Sequence, residues 1–192
     1  MLKNKGQHAL REARPPQGQV KQAVAVYPGT FDPVTNGHID IIERGLQIFQ
    51  GLTVAVARSS KKSPLFDIHE RVQMMQDATA SYKNVSVEPF TGLLTDYMRE
   101  HGGKAIIRGL RAISDFEYEF QMAMMNRKLN DQVDTVFLMP SEEYFFLTST
   151  LVKEVAGYGG DINSLVPKQV LENLRKKIAG FENPLGKNKN AR

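Results

Sequence analysis

The sequence predicts an α/β fold in which one parallel sheet of five strands carries helices on its faces. Five short apolar runs, mostly β-branched, alternate along the chain with segments of helical spacing. Strands that are apolar on both faces are typical of a parallel sheet buried between helices. The chain has 192 residues, of which 41% are hydrophobic, so it is long enough for one sizeable core. We therefore expect one domain.

The predicted strands lie at residues 23–27, 52–57, 85–87, 105–107 and 133–139. Between the first two, helical spacing replaces alternation, because apolar side chains recur at Ile39, Ile42, Leu46 and Phe49. Repeated strand, helix, strand units imply βαβ crossovers, and therefore a doubly wound, Rossmann-like sheet with flanking helices. Such a sheet binds ligands at the carboxyl ends of its strands. Functional residues are expected directly after the apolar runs.

Two helix starts are signalled by capping boxes. Asp67 and Ser114 each precede a carboxylate by three residues, which satisfies free backbone N–H groups of a first turn. A last helix is expected from about 167 to 179, packed on the outside. The second capped helix is predicted to have one apolar face, formed by Phe116, Phe120 and Ala123. Three methionines in this helix are interpreted as core filling: Met122, Met124 and Met125.

Both ends of the chain are basic and polar. The expected organisation is a basic, disordered extension at 1–22, one domain at 23–180 and a basic tail at 181–192. Residues 1–22 have a net charge of +4 and residues 187–192 one of +3, whereas the whole chain has +4, so the residues between them are mildly acidic. That distribution argues against a general nucleic-acid binder, although the ends leave room for such binding beside another function.

Several classes of protein are excluded by what the sequence lacks. Without cysteine there is no thiol nucleophile, disulfide or cysteine-based zinc site. No apolar run approaches the roughly 18 residues of a membrane span, and no signal peptide is evident, so a cytoplasmic protein is expected. The motifs of P-loop ATPases, dinucleotide-binding dehydrogenases, zincins and α/β-hydrolases are missing. The chemistry must use hydroxyls, histidine, charged groups or a bound ion.

The segment after the first strand has the features of a phosphate site. Gly29 and Gly37 allow a ligand to approach the backbone closely, and a helix that begins near Gly37 directs free N–H groups at it. His38 at this helix start can donate a hydrogen bond to an oxygen that gains negative charge during a reaction. The alternative role for His38 is simple capping or packing.

Cations follow two other strands of the predicted sheet. Arg58, Lys61 and Lys62 follow the second, and Arg108 and Arg111 follow the fourth. Hydroxyls at 148–150 open a helix after the fifth strand, where they can cap the helix or hold an anion. Because these groups share one edge of the sheet, a phosphate site is the better interpretation than a solvated surface.

At this point the motifs carry a resemblance. Residues 35–38, Thr-Asn-Gly-His, resemble the T/H-x-G-H signature of the nucleotidyltransferase superfamily, and residues 148–150 resemble its later hydroxyl-rich motif. Four further segments are similar to the bacterial phosphopantetheine adenylyltransferases: residues 27–33, 107–112, 115–119 and 151–155. The similarity runs in order through most of the chain.

The resemblance implies a reaction and its participants. This family transfers the adenylyl group of MgATP to 4′-phosphopantetheine, giving dephospho-coenzyme A and pyrophosphate in coenzyme A biosynthesis. The acceptor phosphate attacks directly, without a covalent enzyme intermediate. Mg²⁺ as the ion that accompanies ATP, and a homo-oligomer, specifically a hexamer, are implied as well.

Site residues are implied by matching position. The catalytic residues are His38, Thr30, Lys62 and Arg111. The phosphopantetheine-binding residues are Thr30, Lys62, Leu94 and Arg108. The ATP-binding residues are Thr30, Phe31, His38, Gly109, Leu110, Arg111, Glu119, Tyr144, Thr148, Ser149 and Thr150. No residue is implied as a metal ligand.

Two other readings stay open at this stage. One is a different enzyme of the superfamily, such as a cytidylyltransferase or a nicotinate mononucleotide adenylyltransferase; the motifs at 108–111 and 115–119 argue against it. The other is a nucleotide- or coenzyme-binding module without catalysis, against which the intact His38, Thr30, Lys62 and Arg111 argue. Pyrophosphate release distinguishes these readings.

Overall fold

One parallel sheet of five strands organises the chain, in the order β3-β2-β1-β4-β5. The computed structural model describes residues 24–58, 64–111 and 113–179. The predicted α/β fold with a doubly wound five-stranded parallel sheet is confirmed. The strands are β1 Val24–Gly29, β2 Gly51–Ala57, β3 Val85–Phe90, β4 Ala105–Gly109 and β5 Asp134–Leu138.

Helices cover both faces of the sheet. A larger core cluster joins one face to α1, α2, α5 and α6, and a smaller cluster joins the other face to α3. Strand β1 is apolar on both faces, because Ala25 and Tyr27 belong to the larger cluster and Val26 belongs to the smaller one. The helices are α1 Asn36–Ile48, α2 Ile68–Thr79, α3 Leu94–Glu100, α4 Ile113–Leu129, α5 Ser149–Gly157 and α6 Lys168–Ala179.

Strand β4 extends further than the sequence predicts. Arg108 and Gly109 were expected after this strand. They are instead the last two residues of β4, where they pair with Phe137 and Leu138 of β5. The reason is that the neighbouring strand continues to offer backbone partners beyond the apolar run. Because the strand order reverses between β1 and β4, a crevice opens between their carboxyl ends.

One predicted capping box is confirmed and the other is wrong. Asp67 caps α2: its carboxylate accepts from the Glu70 backbone N–H at 2.9 Å, and the Glu70 carboxylate accepts from the Asp67 N–H at 2.8 Å. Ser114 does not precede its helix, because α4 already begins at Ile113. The carboxylate of the next residue, Asp115, instead pairs with Arg111.

The methionines of α4 are not core residues of the single chain, so that prediction was wrong. Met122, Met124 and Met125 are 40%, 51% and 50% exposed, and Phe116 and Phe120 are half exposed as well. Helix α4 lies at the β5 edge of the sheet, and its apolar residues are spread around the helix instead of gathering on one face. Only one stripe of such a helix can face the sheet, so the rest is left open.

The basic ends that the sequence predicts lie outside the described residues, and their boundaries stay predictions. Within the described ranges, no helix is both long enough and apolar enough to cross a membrane. The last described helix, α6, begins directly after Pro167, close to the predicted start. Its side chains complete the larger core cluster through Val170, Leu171 and Leu174.

Candidate active site

A cavity of about 590 Å³ opens at the carboxyl ends of β1 and β4. It is lined by segments that follow β1, β4 and β5 and by the first turns of α1 and α5. A doubly wound sheet binds its ligands at this position. Among the residues that the sequence predicts for the site, these line the cavity: Thr30, Phe31, His38, Arg108, Gly109, Arg111, Glu119, Tyr144, Thr148, Ser149 and Thr150.

Three predicted site residues are not among those that line the cavity. Leu110 is buried, 8% exposed, and its backbone N–H continues the sheet by donating to the Leu138 carbonyl at 2.9 Å. Leu94 packs at the start of α3 against the smaller core cluster, on the opposite face of the sheet from α1. Lys62 lies outside the described residues. The structure therefore brings together the predicted nucleotide side of the site more completely than the predicted acceptor side.

His38 lies in the first turn of α1 and is held in one tautomer. Its Nδ1 accepts a hydrogen bond from the Thr35 backbone N–H at 2.9 Å, so the proton of the neutral ring is on Nε2. Desolvation, together with the positive charges of Arg111 and Arg108, lowers the pKa of His38 to about 3. The residue thus caps its helix and still has a neutral Nε2–H donor beside the cavity.

The turn after β1 supports His38 through an unusual backbone conformation. Phe31 has a positive φ of 51°, which non-glycine residues rarely adopt outside functional sites. Its ring packs edge-on against His38, with centroids 5.0 Å apart, and against Tyr27. A Cβ at Gly29 would lie 2.6 Å from this ring, so only glycine fits there. The Phe31 side chain is buried and orients His38. The contact with ATP that is expected for Phe31 is therefore limited to its small accessible surface.

Arg108 and Glu119 form a bidentate ion pair at the wall of the cavity. The Arg108 Nε donates to one Glu119 oxygen at 2.7 Å and Nη2 donates to the other at 2.5 Å. Nη1 donates to the Pro28 carbonyl at 2.8 Å. These bonds use three of the five N–H groups of the guanidinium, and two are left for an anion. The predicted acceptor cation and the predicted ATP-binding carboxylate are therefore coupled to each other.

Arg111 connects the start of α4 to the loop before α5. Its Nε donates to Asp115 at 3.1 Å and its Nη1 donates to the Leu147 carbonyl at 3.3 Å. Beyond that loop, the Thr148 hydroxyl caps α5 by accepting from the Leu151 N–H at 3.0 Å, and the Ser149 hydroxyl donates to the Pro33 carbonyl at 2.7 Å. The hydroxyl motif thus has the capping role and also lies beside the N-terminal end of a helix that faces the cavity.

Asp40 ties α1 to the turn that carries Tyr144. Its carboxylate accepts from the Ser141 backbone N–H at 2.8 Å, from the Ser141 hydroxyl at 2.5 Å and from Arg44 at 3.0 Å. Burial on its own would raise the pKa of Asp40, but these hydrogen bonds hold it below its ordinary value. The ionised carboxylate therefore fixes Tyr144, whose Cβ lies close to the position a side chain at Gly37 would occupy.

Sequence reasoning missed two charged residues of the cavity wall. Asp32, only 6% exposed, accepts from the Leu65 and Phe66 backbone N–H groups at 3.0 and 2.9 Å. Lys153 of α5 donates to the same carboxylate at 2.6 Å. Both belong to motifs that carry the resemblance, yet neither was given a role. The available signal was a lysine one helical turn after the hydroxyls at 148–150, which α5 presents on the same face.

The donor set of the cavity does not form a protein metal site. Among the described residues, no group of three or more His, Cys, Asp or Glu side chains is arranged to hold a metal ion. The two carboxylates that line the cavity, Asp32 and Glu119, are each paired with a cation, Lys153 and Arg108.

Known proteins match both the sequence and the fold. A cytidylyltransferase-like family model matches residues 26–155. The chain is 52% identical over 168 residues to a phosphopantetheine adenylyltransferase of Oleidesulfovibrio alaskensis, covering 88% of this chain and 98% of that protein. It is 56% identical over 154 residues to one from Thermodesulfovibrio yellowstonii, covering 80% and 96%.

A solved structure shares the fold at much lower identity. The putative nicotinate-nucleotide adenylyltransferase of Vibrio parahaemolyticus superposes with a TM-score of 0.63 at 16% identity, over 82% of this chain and 94% of that one. At that identity the likeness speaks for the fold alone. The close sequence relatives, the order of the motifs and the cavity at the reversal of strand order agree, and the chain belongs to the cytidylyltransferase-like family and, within it, to the phosphopantetheine adenylyltransferases.

Proposed function

We propose that the chain transfers the adenylyl group of ATP to 4′-phosphopantetheine and releases pyrophosphate, forming dephospho-coenzyme A. The observation that carries this proposal is the neutral, capped His38 beside a cavity that also contains Arg108 and Arg111. The relatives named phosphopantetheine adenylyltransferase support the choice of substrates. We also propose the cytoplasm, where ATP is available, as the compartment of the reaction.

The reaction is a direct displacement at phosphorus. An oxygen of the acceptor phosphate attacks the α-phosphorus of ATP and forms a new P–O bond. The bond from the α-phosphorus to the oxygen that bridges to the β-phosphorus breaks, and pyrophosphate leaves with its electron pair. The described residues of the cavity include no thiol, and the Thr35 hydroxyl, 3.0 Å from Nδ1 of His38, is buried in the cap of α1. The contribution of the protein is therefore positioning and charge stabilisation.

His38 and Thr30 are assigned to the reacting α-phosphate. The Nε2–H of His38 donates to a phosphoryl oxygen as negative charge grows on it, which stabilises the transition state more than bound ATP. The exposed Thr30 directly follows β1 and lies at the same end of the cavity. The N-terminal end of α1 adds a favourable dipole for the same anion.

The remaining groups are divided between the two substrates. Arg111 and the stretch from Tyr144 to Thr150 are assigned to ATP, and Arg108 with Lys62 is assigned to the acceptor phosphate. Glu119 is assigned to the ATP side, where it also orients Arg108 through the ion pair. Mg²⁺ is proposed to enter as part of MgATP, where it would neutralise charge on the triphosphate. Leu94 and Leu110 are not part of this division, because neither lines the cavity.

We further propose that the chain assembles into a homo-oligomer, specifically a hexamer. Support comes from α4, which exposes several large apolar side chains, whereas a monomeric protein rarely exposes a large apolar patch. A second copy of the chain, rather than an unrelated protein, is the occupant that the family resemblance favours. The apolar surface of α4 consists of Phe116, Tyr118, Phe120, Met122, Met124, Met125 and Leu129.

Pyrophosphate release with a panel of substrates tests the reaction. The purified chain is supplied with MgATP or MgCTP and with 4′-phosphopantetheine, nicotinate mononucleotide or phosphocholine as acceptor. We expect release only with ATP and 4′-phosphopantetheine. Release with CTP or with nicotinate mononucleotide would point to another enzyme of the superfamily. Binding of both substrates without release would point to a non-catalytic module.

A further inference from the structure

Arg71 is a buried arginine that lies next to the site without lining the cavity. It is only 1% exposed, in the first turn of α2. Its guanidinium donates to three carbonyl oxygens: Nε to Phe66 at 3.0 Å, and Nη1 to Thr30 at 2.7 Å and to Ala57 at 2.8 Å. These carbonyls belong to three separate stretches of chain: the turn after β1, the end of β2 and the approach to α2.

The burial of the charged Arg71 guanidinium calls for an explanation. Removing its charge from water is costly, and a methionine of similar length would fill the same space without that cost. Among the described residues, the direct partners of Arg71 are carbonyls, and its nearest compensating charges are the carboxylates of Asp32 and Asp67. Burial lowers the pKa of Arg71, and these two carboxylates offset part of that effect. Packing alone does not call for an arginine here.

The planar fork of an arginine can join several carbonyls in fixed geometry, which a single ammonium cannot do. Asp32 completes the connection, since its carboxylate accepts from the backbone N–H groups of Leu65 and Phe66. The Phe66 residue is therefore held at both its N–H and its carbonyl. Ala57 and Phe66 are therefore both connected to the turn that contains Thr30, and Pro64, two residues before Phe66, lines the cavity.

We propose that Arg71 is a positioning residue for adenylyl transfer, which sets Thr30 relative to both ends of the stretch from 57 to 66. This inference rests on the proposed function. Arg71 touches neither substrate and acts through the backbone of Thr30 and of the two residues connected to its turn. Thr30 is assigned only to the reacting α-phosphate of ATP, whereas Arg111 and residues 144–150, which are assigned to the rest of ATP, are held by other contacts. Loss of Arg71 therefore affects use of the acceptor and turnover, and spares binding of ATP.

The test compares Arg71→Lys and Arg71→Gln with the wild-type chain, well below the melting temperature of each. We expect kcat/KM for 4′-phosphopantetheine to fall by about tenfold to a hundredfold, the scale of a displacement near 1 Å at a reacting centre. The dissociation constant of ATP is expected to stay within about threefold, since its assigned contacts are separate. Met98→Ala is the control, because Met98 is fully buried in the smaller core cluster, away from the cavity. It should lower stability without changing the kinetics of the folded protein.

A double-mutant cycle with Thr30→Ala asks whether Arg71 acts through Thr30. In that background Arg71→Lys should lower kcat by less than about twofold, because coupled residues are not additive. Equal losses in both backgrounds, or normal kinetics in Arg71→Lys, would overturn the proposal. Failure of both Arg71 variants to fold would also overturn it, by assigning the residue to stability.

The proposed function can fail separately from this inference. If the wild-type chain releases no pyrophosphate with 4′-phosphopantetheine, the reaction is wrong and the role of Arg71 is decided by binding. The probe is inorganic phosphate, which stands for the phosphate group of the acceptor, followed through the NMR signal of the Thr30 amide. A dissociation constant raised at least about threefold by Arg71→Lys, but not by Met98→Ala, supports positioning of the anion site. An unchanged constant overturns it.

Discussion

His38 has two ring nitrogens, and the fold uses one of them. Nδ1 accepts from the Thr35 backbone N–H and caps α1, which leaves the proton on Nε2. The capping role and the catalytic role, which compete as interpretations of the sequence, are therefore compatible in one residue. Desolvation and nearby positive charges keep the ring neutral, so His38 presents a donor and not a cation beside the cavity.

Replacing His38 by alanine is expected to lower kcat by at least about a hundredfold, the effect of removing one preorganised donor. Affinity for ATP should change much less, because Arg111 and the α5 N-terminus are intact. Loss of the Nδ1 cap should also lower the free energy of unfolding by about 1 kcal/mol. Steady-state kinetics, ATP titration and urea unfolding measure the three effects. Normal turnover would return His38 to a capping role alone.

The lowered pKa of His38 predicts a pH response in the chain without ligands. The ring should stay neutral, with its proton on Nε2, from pH 8 to pH 5 in ¹⁵N NMR, whereas in the urea-unfolded chain it should titrate near pH 6.5. Because folding lowers this pKa, the neutral ring contributes stability that is fully present above about pH 6.5 and is lost as the pH falls towards 3. A folded-state midpoint near 6.5 would contradict the buried, cation-flanked environment.

The bidentate contact between Arg108 and Glu119 predicts that lysine is a poor substitute for Arg108. Arg108→Lys keeps the charge but loses the two-pronged contact with Glu119, so KM for 4′-phosphopantetheine should rise by about tenfold or more. The dissociation constant of ATP should change by less than about threefold. Arg99→Lys is the matched control, since Arg99 forms an exposed pair with Asp96 away from this cavity. Equal weakening of both substrates would contradict the assignment of Arg108 to the acceptor.

At the scale of elements, α1 is fixed to the site by its packing as well as by its cap. Gly45 lets the helix approach the sheet, because a Cβ there would lie 2.9 Å from Ile107 and 3.0 Å from Leu52. Asp40 connects the same helix to the turn before Tyr144 through Ser141. The close approach at Gly45 and the polar contact at Asp40 together place the first turn of α1, and with it His38, at the cavity.

Gly45→Ala is expected to destabilise the chain even though alanine is the better helix former. Overpacking in a core costs about 1–3 kcal/mol, which exceeds the propensity gain of up to about 1 kcal/mol. Gly157→Ala in α5 is the control, because a Cβ there meets nothing within 4 Å. That variant should leave the free energy of unfolding unchanged or raise it. Urea denaturation of both variants makes the comparison, and equal effects would contradict close packing at Gly45.

At the scale of the whole molecule, the apolar side chains of the helices lie in two environments, one buried against the sheet and one exposed. The apolar residues of α1 and α2 close the larger core cluster, whereas those of α4 remain exposed in a single chain. Helix α4 exposes large aromatic and methionine side chains, and burial against other copies of the chain is the arrangement that we propose for them. The proposed interface would share this helix with the cavity, because Glu119 of α4 lines the cavity.

A charge on the exposed face of α4 is therefore expected to dissociate the oligomer. The wild-type chain should have the mass of six chains by light scattering, and Met124→Lys should shift it to smaller species. Ile48→Lys in α1 serves as control, since Ile48 is also exposed, at 60%, but lies outside α4. A monomeric wild-type chain, or equal masses for all three proteins, would contradict assembly through this helix.

The sequence by itself determined the fold class and most of the predicted site residues that line the cavity. Apolar runs in the sequence predict the parallel strands. The segment at 35–38 contains within four residues the cap, the glycine and the histidine that form the start of α1. The capping box at Asp67 was readable for the same reason. Signals of this kind are local, because the interacting groups are only a few positions apart along the chain.

Only the tertiary structure decided which distant groups pair. Lys153 and Asp32 are 121 residues apart in the sequence and meet at 2.6 Å, and Arg71 collects carbonyls from residues 30, 57 and 66. The exposure of the α4 methionines likewise depends on what covers that helix, not on its own periodicity. Backbone carbonyls have no residue-specific signature, and burial is a property of the packed molecule, so neither can be recognised from a linear pattern of residues.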